Sequence, residues 1–340
     1  MNLLAHRAVP DTEGLICGFT LDKNAVTPLI WDADTRAQSG ASFTTSSPAI
    51  APRWLHFNLA DTRACHWIEL SAPIVDDARD LLLDNDAVIR CEIVPDGLAL
   101  VIGDLHHDFN GDPEGFGVLR LYIDNRCMIT GRRHPLRAVD QLRRDLLDGV
   151  VVGSTPQLFA RLILDIDDSF HRLIKSLSDN LDQAEDEILD GRIHDHGSEL
   201  GRSRRLLARL RRHMGAGRLV LQQGVASMTS WCNKDDLDEV RQALERLEST
   251  SQDLELVQER TRLLQEEIGS RLSEATNRNL YILSVVTVAL LPINLITGIF
   301  GMNTGGLPWS QDPSGFWWVM FWMIIAVAVA LRFLHSRKIL

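Results

Sequence analysis

The sequence predicts an α/β N-terminal cytosolic domain, a long-helix stalk behind it, and two C-terminal transmembrane helices. Three observations predict this. Leu280 to Phe300 is an uncharged apolar run of 21 residues, and a second run, Phe316 to Leu331, follows a short loop. The hydrophobic period changes near Pro156 from short β-like runs to a helical repeat. Finally, Leu237, Val240, Leu244, Leu247, Leu254, Val257, Leu264, Ile268 and Leu272 recur at three, four and seven, the stripe of one long helix.

Residues 1–150 form the α/β part. Trp54–Leu59, Val88–Ile93, Leu98–Asp104, Gly117–Ile123 and Cys127–Thr130 read as strands, with hairpin punctuation at Pro95-Asp96-Gly97 and Asp124-Asn125. Helices are predicted at Val75–Asp84 and Pro135–Asp148, and Ala37–Pro52, rich in Ser, Thr and Ala, reads as a loop. Residues 151–233 read as an antiparallel helical hairpin. Pro156–Leu189 is its first helix, N-capped by Thr155 with Pro at the first position, and Ser198 to about Ser227 is its second. The first is acidic near its end (Asp182, Glu185, Asp186, Glu187, Asp190); the second is basic at its start (Arg202, Arg204, Arg205, Arg209, Arg211, Arg212). Ion pairing between these stretches is the preferred reading, and binding of the basic helix to anionic lipid is the alternative. Residues 234–279 are the stalk, 280–303 the first span, 304–315 the loop, 316–334 the second span and 335–340 a cytosolic tail.

A helix needs about 20 apolar residues to cross a hydrocarbon core of about 30 Å, which the first run supplies. The second is shorter and gains Phe333 and Leu334 if Arg332 snorkels. Trp309, Trp317, Trp318 and Trp322 stand where an interfacial belt would. The loop contains no Lys or Arg, whereas Arg271, Arg278, Arg332, Arg337 and Lys338 flank the spans, so both termini are expected to be cytoplasmic. The start, MNLLAHRAVPDTEG, has no long apolar region and is not expected to be a signal peptide. Five isolated Cys without a CxxC argue for a reduced domain, and the net charge of −11 argues against nucleic acid. No nucleophile elbow, phosphate-binding glycine loop or metalloprotease helix is present, so an enzyme is disfavoured.

Along the first span Asn277, Ser284, Thr287, Asn294 and Gly298 fall, at 100° per residue, within a sector of roughly 100° that also holds Leu280 and Leu291. Polar side chains facing lipid are unfavourable, so this stripe is expected to face protein or water. Ordinary helix–helix contact also uses such residues. One chain supplies two spans and cannot enclose a pore, but a ring of copies can. The span ends on Gly298-Ile299-Phe300-Gly301-Met302-Asn303, where unpaired helix-terminal carbonyls and neutral amide dipoles suit a hydrated cation.

Gly301-Met302-Asn303 closing the first of two C-terminal spans, after a long cytosolic helix, resembles the CorA superfamily of divalent-cation transporters. The resemblance implies a CorA-like funnel, a homopentamer, a central pore lined by the first span and an outer mouth ringed by Asn303. It also implies a polar ring at Asn277 and hydrophobic constrictions at Leu280 and Leu291. Thr304-Gly305-Gly306-Leu307-Pro308, Arg53-Trp54-Leu55-His56-Phe57 and Leu119-Arg120-Leu121-Tyr122-Ile123 look like the ZntB-type zinc branch. That implies Zn2+ as the transported ion, the inner membrane as location, no organic cofactor, and proton coupling. No Asp, Glu or His lies inside either span, so coupled protons would use flanking Glu266, Glu267, Glu274, Asp312 or His335, or accompany the ion in its water shell.

Asp104-Leu105-His106-His107-Asp108, with Asp112 and Glu114, is a candidate cytosolic zinc site, weighed against an ordinary exposed loop. Glu266, with Glu255, Glu259 and Glu267, is a candidate for drawing cations along the stalk, and His194-Asp195-His196 ranks no higher than a turn. The alternatives to zinc transport are a CorA-type magnesium, cobalt or nickel channel, and a membrane-anchored oligomeric scaffold without transport.

Overall fold

The computed structural model describes residues 14–31, 51–107, 115–189, 196–302 and 313–336. The chain divides into two compact units, Met1–Arg262 and Leu263–Leu340.

In the first unit seven strands form one sheet: β1 Leu15–Thr20, β2 Thr27–Pro28, β3 Arg53–Asn58, β4 Arg90–Val94, β5 Gly97–Leu105, β6 Phe116–Asp124 and β7 Cys127–Arg132. Their order is β2-β1-β3-β7-β6-β5-β4, with only β3 and β7 parallel. The hairpin signals lie where the chain turns. Asp96 takes φ 54° between β4 and β5. Asp124 Oδ1 accepts from the backbone N–H groups of Arg126 and Cys127, both at 2.7 Å, closing the β6–β7 turn.

Every residue of β5 is buried, so both faces of the sheet are covered. On one side Ala99 and Val101 share a core with α1 (Thr62–Leu70) and α2 (Asp76–Leu83), through Ala64, Ile68, Leu81 and Leu82. On the other side β5 packs against α3 (Arg137–Leu147), α4 (Thr155–Leu189) and α5 (His196–Met228). Leu98 reaches Gly224 of α5, where an added Cβ would lie 2.8 Å from Leu98 Cδ2. Each fully buried Leu or Ile here contributes about 1.5–3 kcal/mol.

The predicted strands and helices appear with ends shifted by one or two residues. β1, β2 and α1 escape the sequence reading. Two of these elements are short or broken by polar residues, and α1 carries Thr, Arg, Cys, His and Glu in nine positions. The expected cap of α4 also moves by one residue. Ser154 Oγ accepts the Gln157 N–H at 3.3 Å, while Thr155 is buried and its hydroxyl donates to the Asp124 carbonyl.

α6 runs from Lys234 to Phe300 as one helix with Pro292 inside it. Asn233 Oδ1 caps it by accepting the Asp236 N–H at 2.8 Å, and Asp236 Oδ2 accepts from Ser154 Oγ at 2.6 Å. The heptad stripe explains its packing, since Leu237, Val240, Leu247, Leu254, Val257 and Leu264 are buried.

In the second unit, the last part of α6 is followed by α7, Gly315–Ser336. α6 and α7 each contain a stretch long and apolar enough to cross a bilayer, and essentially none of either stretch is buried within the chain. A core helix of a soluble protein would be buried, so these helices require an apolar surrounding from outside the chain.

Candidate functional site

The first span has two unlike sides. Val285, Val288, Ala289, Pro292, Ile293, Ile296 and Phe300 are part-buried. At 100° per residue they centre roughly 150° away from the polar stripe. Asn277, Ser284, Thr287, Asn294 and Gly298 are all exposed, as are Leu280 (56%) and Leu291 (63%) between them. The polar stripe thus lies within the broad part of the span that this chain leaves uncovered, together with apolar Leu283, Val286 and Leu290.

The stripe's hydroxyls are turned by their own helix. Ser284 Oγ donates to the Leu280 carbonyl at 2.8 Å and Thr287 Oγ1 to the Leu283 carbonyl at 2.7 Å. With its proton committed, each oxygen presents only lone pairs outward. Water held by a divalent cation points its O–H groups away from the ion, so an acceptor-only lining matches a hydrated cation. The side-chain amides of Asn277 and Asn294 make no hydrogen bond among the described residues and add carbonyl acceptors.

At the end of the span Gly301 N–H donates to the Thr297 carbonyl at 2.8 Å, and Met302 N–H to the Ile299 carbonyl at 3.4 Å. A Cβ on Gly301 would lie 2.9 Å from the Thr297 oxygen, whereas one on Gly298 would meet nothing within 4 Å. Met302 is exposed. Asn303, the proposed ring at the mouth, lies outside the described residues.

The cytosolic candidates fare differently. Asp104 is fully buried; its Oδ2 accepts the Ala138 N–H at 2.9 Å and its Oδ1 the Leu105 N–H at 2.7 Å. It caps α3 against β5, with each oxygen engaged by a backbone N–H. The His106 ring is seated over Gly115 and Gly117, where added Cβ atoms would approach it to 2.6 and 2.7 Å, and stands 5.4 Å from the His134 ring. His107 donates its backbone N–H to the Pro135 carbonyl at 2.9 Å. Asp108, Asp112 and Glu114 lie outside the described residues, as do His194 and Asp195. No group of three His, Cys, Asp or Glu among the described residues is arranged to hold a metal ion. Glu266 is an exposed residue of α6. All five cysteines are unbridged.

The expected ion pairing within the helical hairpin is a correction. Asp182 and Glu185 of α4 pair with Arg260 of α6, at 2.7 and 3.0 Å, and not with α5. Arg202, Arg204, Arg205, Arg209, Arg211 and Arg212 are exposed and form no ion pair among the described residues. α6 supplies the cation that the sequence reading assigned to α5. Only the folded packing brings positions 182 and 260 together.

Asp165 is among the buried acids not foreseen, with Asp167 and Asp236. Asp165 on α4 is 4% exposed, with Oδ2 unpartnered among the described residues and Oδ1 3.9 Å from Arg161 Nε. Burial pushes its carboxyl up to about 7, against the nearby Arg161 charge. A lone Asp in a helical repeat carries no signal of this in sequence.

The sequence profile of the CorA-like Mg2+ transporter protein family matches residues 51–337. This chain belongs to the CorA-like family. The family is one of ion transporters, not of enzymes. Within it the chain is 32% identical over 266 residues to the divalent cation transporter CmaX of Pseudomonas aeruginosa, covering 78% of this chain and 80% of that one. It is 25% identical over 339 residues to the zinc transport protein ZntB of Yersinia enterocolitica, covering 99% of each. The solved full-length CmaX structure superposes with a TM-score of 0.78 at 28% identity, covering 96% of this chain and 98% of that one. The CorA-like arrangement of an N-terminal α/β domain, a long helix and two C-terminal candidate membrane helices is therefore the fold of this chain.

Proposed function

We propose that several copies of this CorA-family chain, five by the resemblance, form a pore in the inner membrane that carries divalent cations, with zinc as the physiological cargo. The first spans turn Asn277, Ser284, Thr287, Asn294 and Gly298 toward a shared axis. Leu280 and Leu291 form apolar constrictions on the same side, which gate by dewetting. Gly301, Met302 and Asn303 form the outer mouth, and both termini are cytoplasmic.

The observation that carries this reading is that the polar residues of the span share one sector and that the chain covers none of them. In lipid that side would be costly; around a wet axis it is useful. Acceptor-only hydroxyls and amide carbonyls hold a hydrated ion through its water, weakly enough to release it. Zinc is supported by the ZntB relatives and by the sequence after Asn303. Magnesium is the second reading, supported by the family profile.

The test is purified protein in liposomes loaded with zinc- or magnesium-sensitive dye, with and without a pH gradient. Zinc entry is expected. Magnesium entry alone moves the chain to the second reading, and no entry of either ion overturns transport. Zinc entry unaffected by the gradient removes proton coupling. Asn303→Ala is expected to reduce entry at least about tenfold with the oligomer intact.

A further inference from the structure

The arginines of α5 that form no ion pair among the described residues are regularly spaced. Arg204-Arg205 and Arg211-Arg212 repeat at seven residues, and between them run Gly201, Ala208 and Gly215, also at seven. At 100° per residue the three small residues lie within about 20° of one line, and Leu219 continues it. Arg204 and Arg211 stand about 50° to one side, and Arg205 and Arg212 about 50° to the other. The result is a shallow furrow between two guanidinium ridges. All four arginines are exposed, and Leu219 is 60% exposed.

The chain's own packing does not require this furrow. A glycine inside a helix costs about 1 kcal/mol relative to alanine. At Gly224 that cost is explained, because Leu98 occupies the space a Cβ would need. At Gly215 an added Cβ meets nothing within 4 Å, and at Gly201 only Arg205 Nη1 at 3.9 Å. Nothing among the described residues uses the small residues or these charges.

Its complement is on α6. Leu256 is 66% exposed, and Glu245, Asp253 and Glu259 lie within about 60° of it around the helix. All three carboxylates are exposed and form no ion pair among the described residues. We propose that the arginine-ridged furrow of α5 is an interface that receives the Leu256 ridge of α6 from a second copy of this chain, with Glu245, Asp253 and Glu259 set against the arginines. A bilayer surface fits less well. A membrane-docking helix needs bulky apolar residues between its cations, and the centre of this face is Gly, Ala and Gly. This inference specifies one interface of the oligomer proposed above and rests on that reading.

The test uses the full-length protein in detergent, followed by native mass spectrometry across a dilution series. Arg204→Glu with Arg211→Glu is expected to raise the concentration at which the oligomer dissociates at least about tenfold. Adding Glu245→Arg and Glu259→Arg is expected to restore it. Gly215→Leu, which has open space within the chain, is expected to weaken the oligomer without lowering the unfolding temperature of the dissociated chain. In a background with the five native cysteines changed to serine, differently tagged Ala208→Cys and Leu256→Cys chains are co-expressed. They are expected to form a covalent pair carrying both tags on oxidation.

An oligomer unchanged by the charge reversals, with no mixed-tag pair, overturns this interface while leaving the pore reading standing. Loss of bound phosphatidylglycerol in Arg204→Glu/Arg211→Glu, with the oligomer unchanged, overturns it in favour of a lipid site. A wild-type chain that is monomeric throughout overturns both.

Discussion

Gly301 sits so close to the carbonyl of Thr297 that a methyl group on it would lie 2.9 Å from that oxygen. The backbone turns out of the helix there, with the Gly301 N–H still bonded to the same carbonyl. Gly301→Ala must shift the backbone at the start of the tripeptide, so ion entry is expected to fall at least about tenfold. Gly298→Ala meets nothing within 4 Å and should not lower the unfolding temperature. If Gly301→Ala transports at the wild-type rate in the liposome assay, the geometry of this turn is not required.

Two threonines of the first span provide a matched pair. Thr287 and Thr297 both bond back to the carbonyl four residues earlier, at 2.7 and 2.8 Å. Thr287 lies on the polar stripe and Thr297 does not. Thr287→Val removes an outward acceptor and is expected to slow ion entry several-fold, about 1 kcal/mol in barrier. Thr297→Val should transport normally. Equal effects of the two substitutions in dye-loaded liposomes would remove the stripe as the pathway.

The raised carboxyl of Asp165 makes a prediction about pH. Its folded value of about 7 lies above the ordinary carboxylate value, so the folded chain holds this proton where the unfolded chain has released it. Stability from this group is therefore greatest in acid and declines as pH rises through about 7, by up to about 1.4 kcal/mol per unit. Asp165→Asn is expected to stabilise the protein above neutral pH and to flatten the decline. Denaturant unfolding of both proteins across this range checks it, and parallel curves would contradict it.

Asp104 tests whether the cytosolic His–Asp stretch is architecture or a zinc site. Its two oxygens accept two backbone N–H groups in a buried position. Asp104→Ala should therefore cost about 1–3 kcal/mol, and Asp104→Asn less, because one acceptor remains. Zinc titration followed by calorimetry should show no affinity that depends on Asp104.

The sequence by itself carries the layout of this chain and most of its proposed pathway. Twenty-one uncharged residues from Leu280 are long and apolar enough to cross a bilayer whatever the rest of the chain does. The polar stripe is a property of one helix, so periodicity alone aligns Asn277 with Gly298. The hairpin turns at Asp96 and Asp124 are equally local, since each depends on its own backbone or side chain.

What needed the tertiary structure is every pairing between distant segments. Charge run against charge run predicted that α4 and α5 neutralise each other, yet Arg260, 78 positions from Asp182, takes that role. Asp104 reads as a candidate ligand beside two histidines, and only packing brings the Ala138 N–H of α3 to its oxygen. Gly224 and Gly215 are indistinguishable in a sequence, but one is filled by Leu98 and the other faces open space. The physical reason is common to all three. Hydrophobic period and helix pitch are set within a few residues, whereas which charge meets which, and which glycine is occupied, depends on where long-range packing brings the elements together.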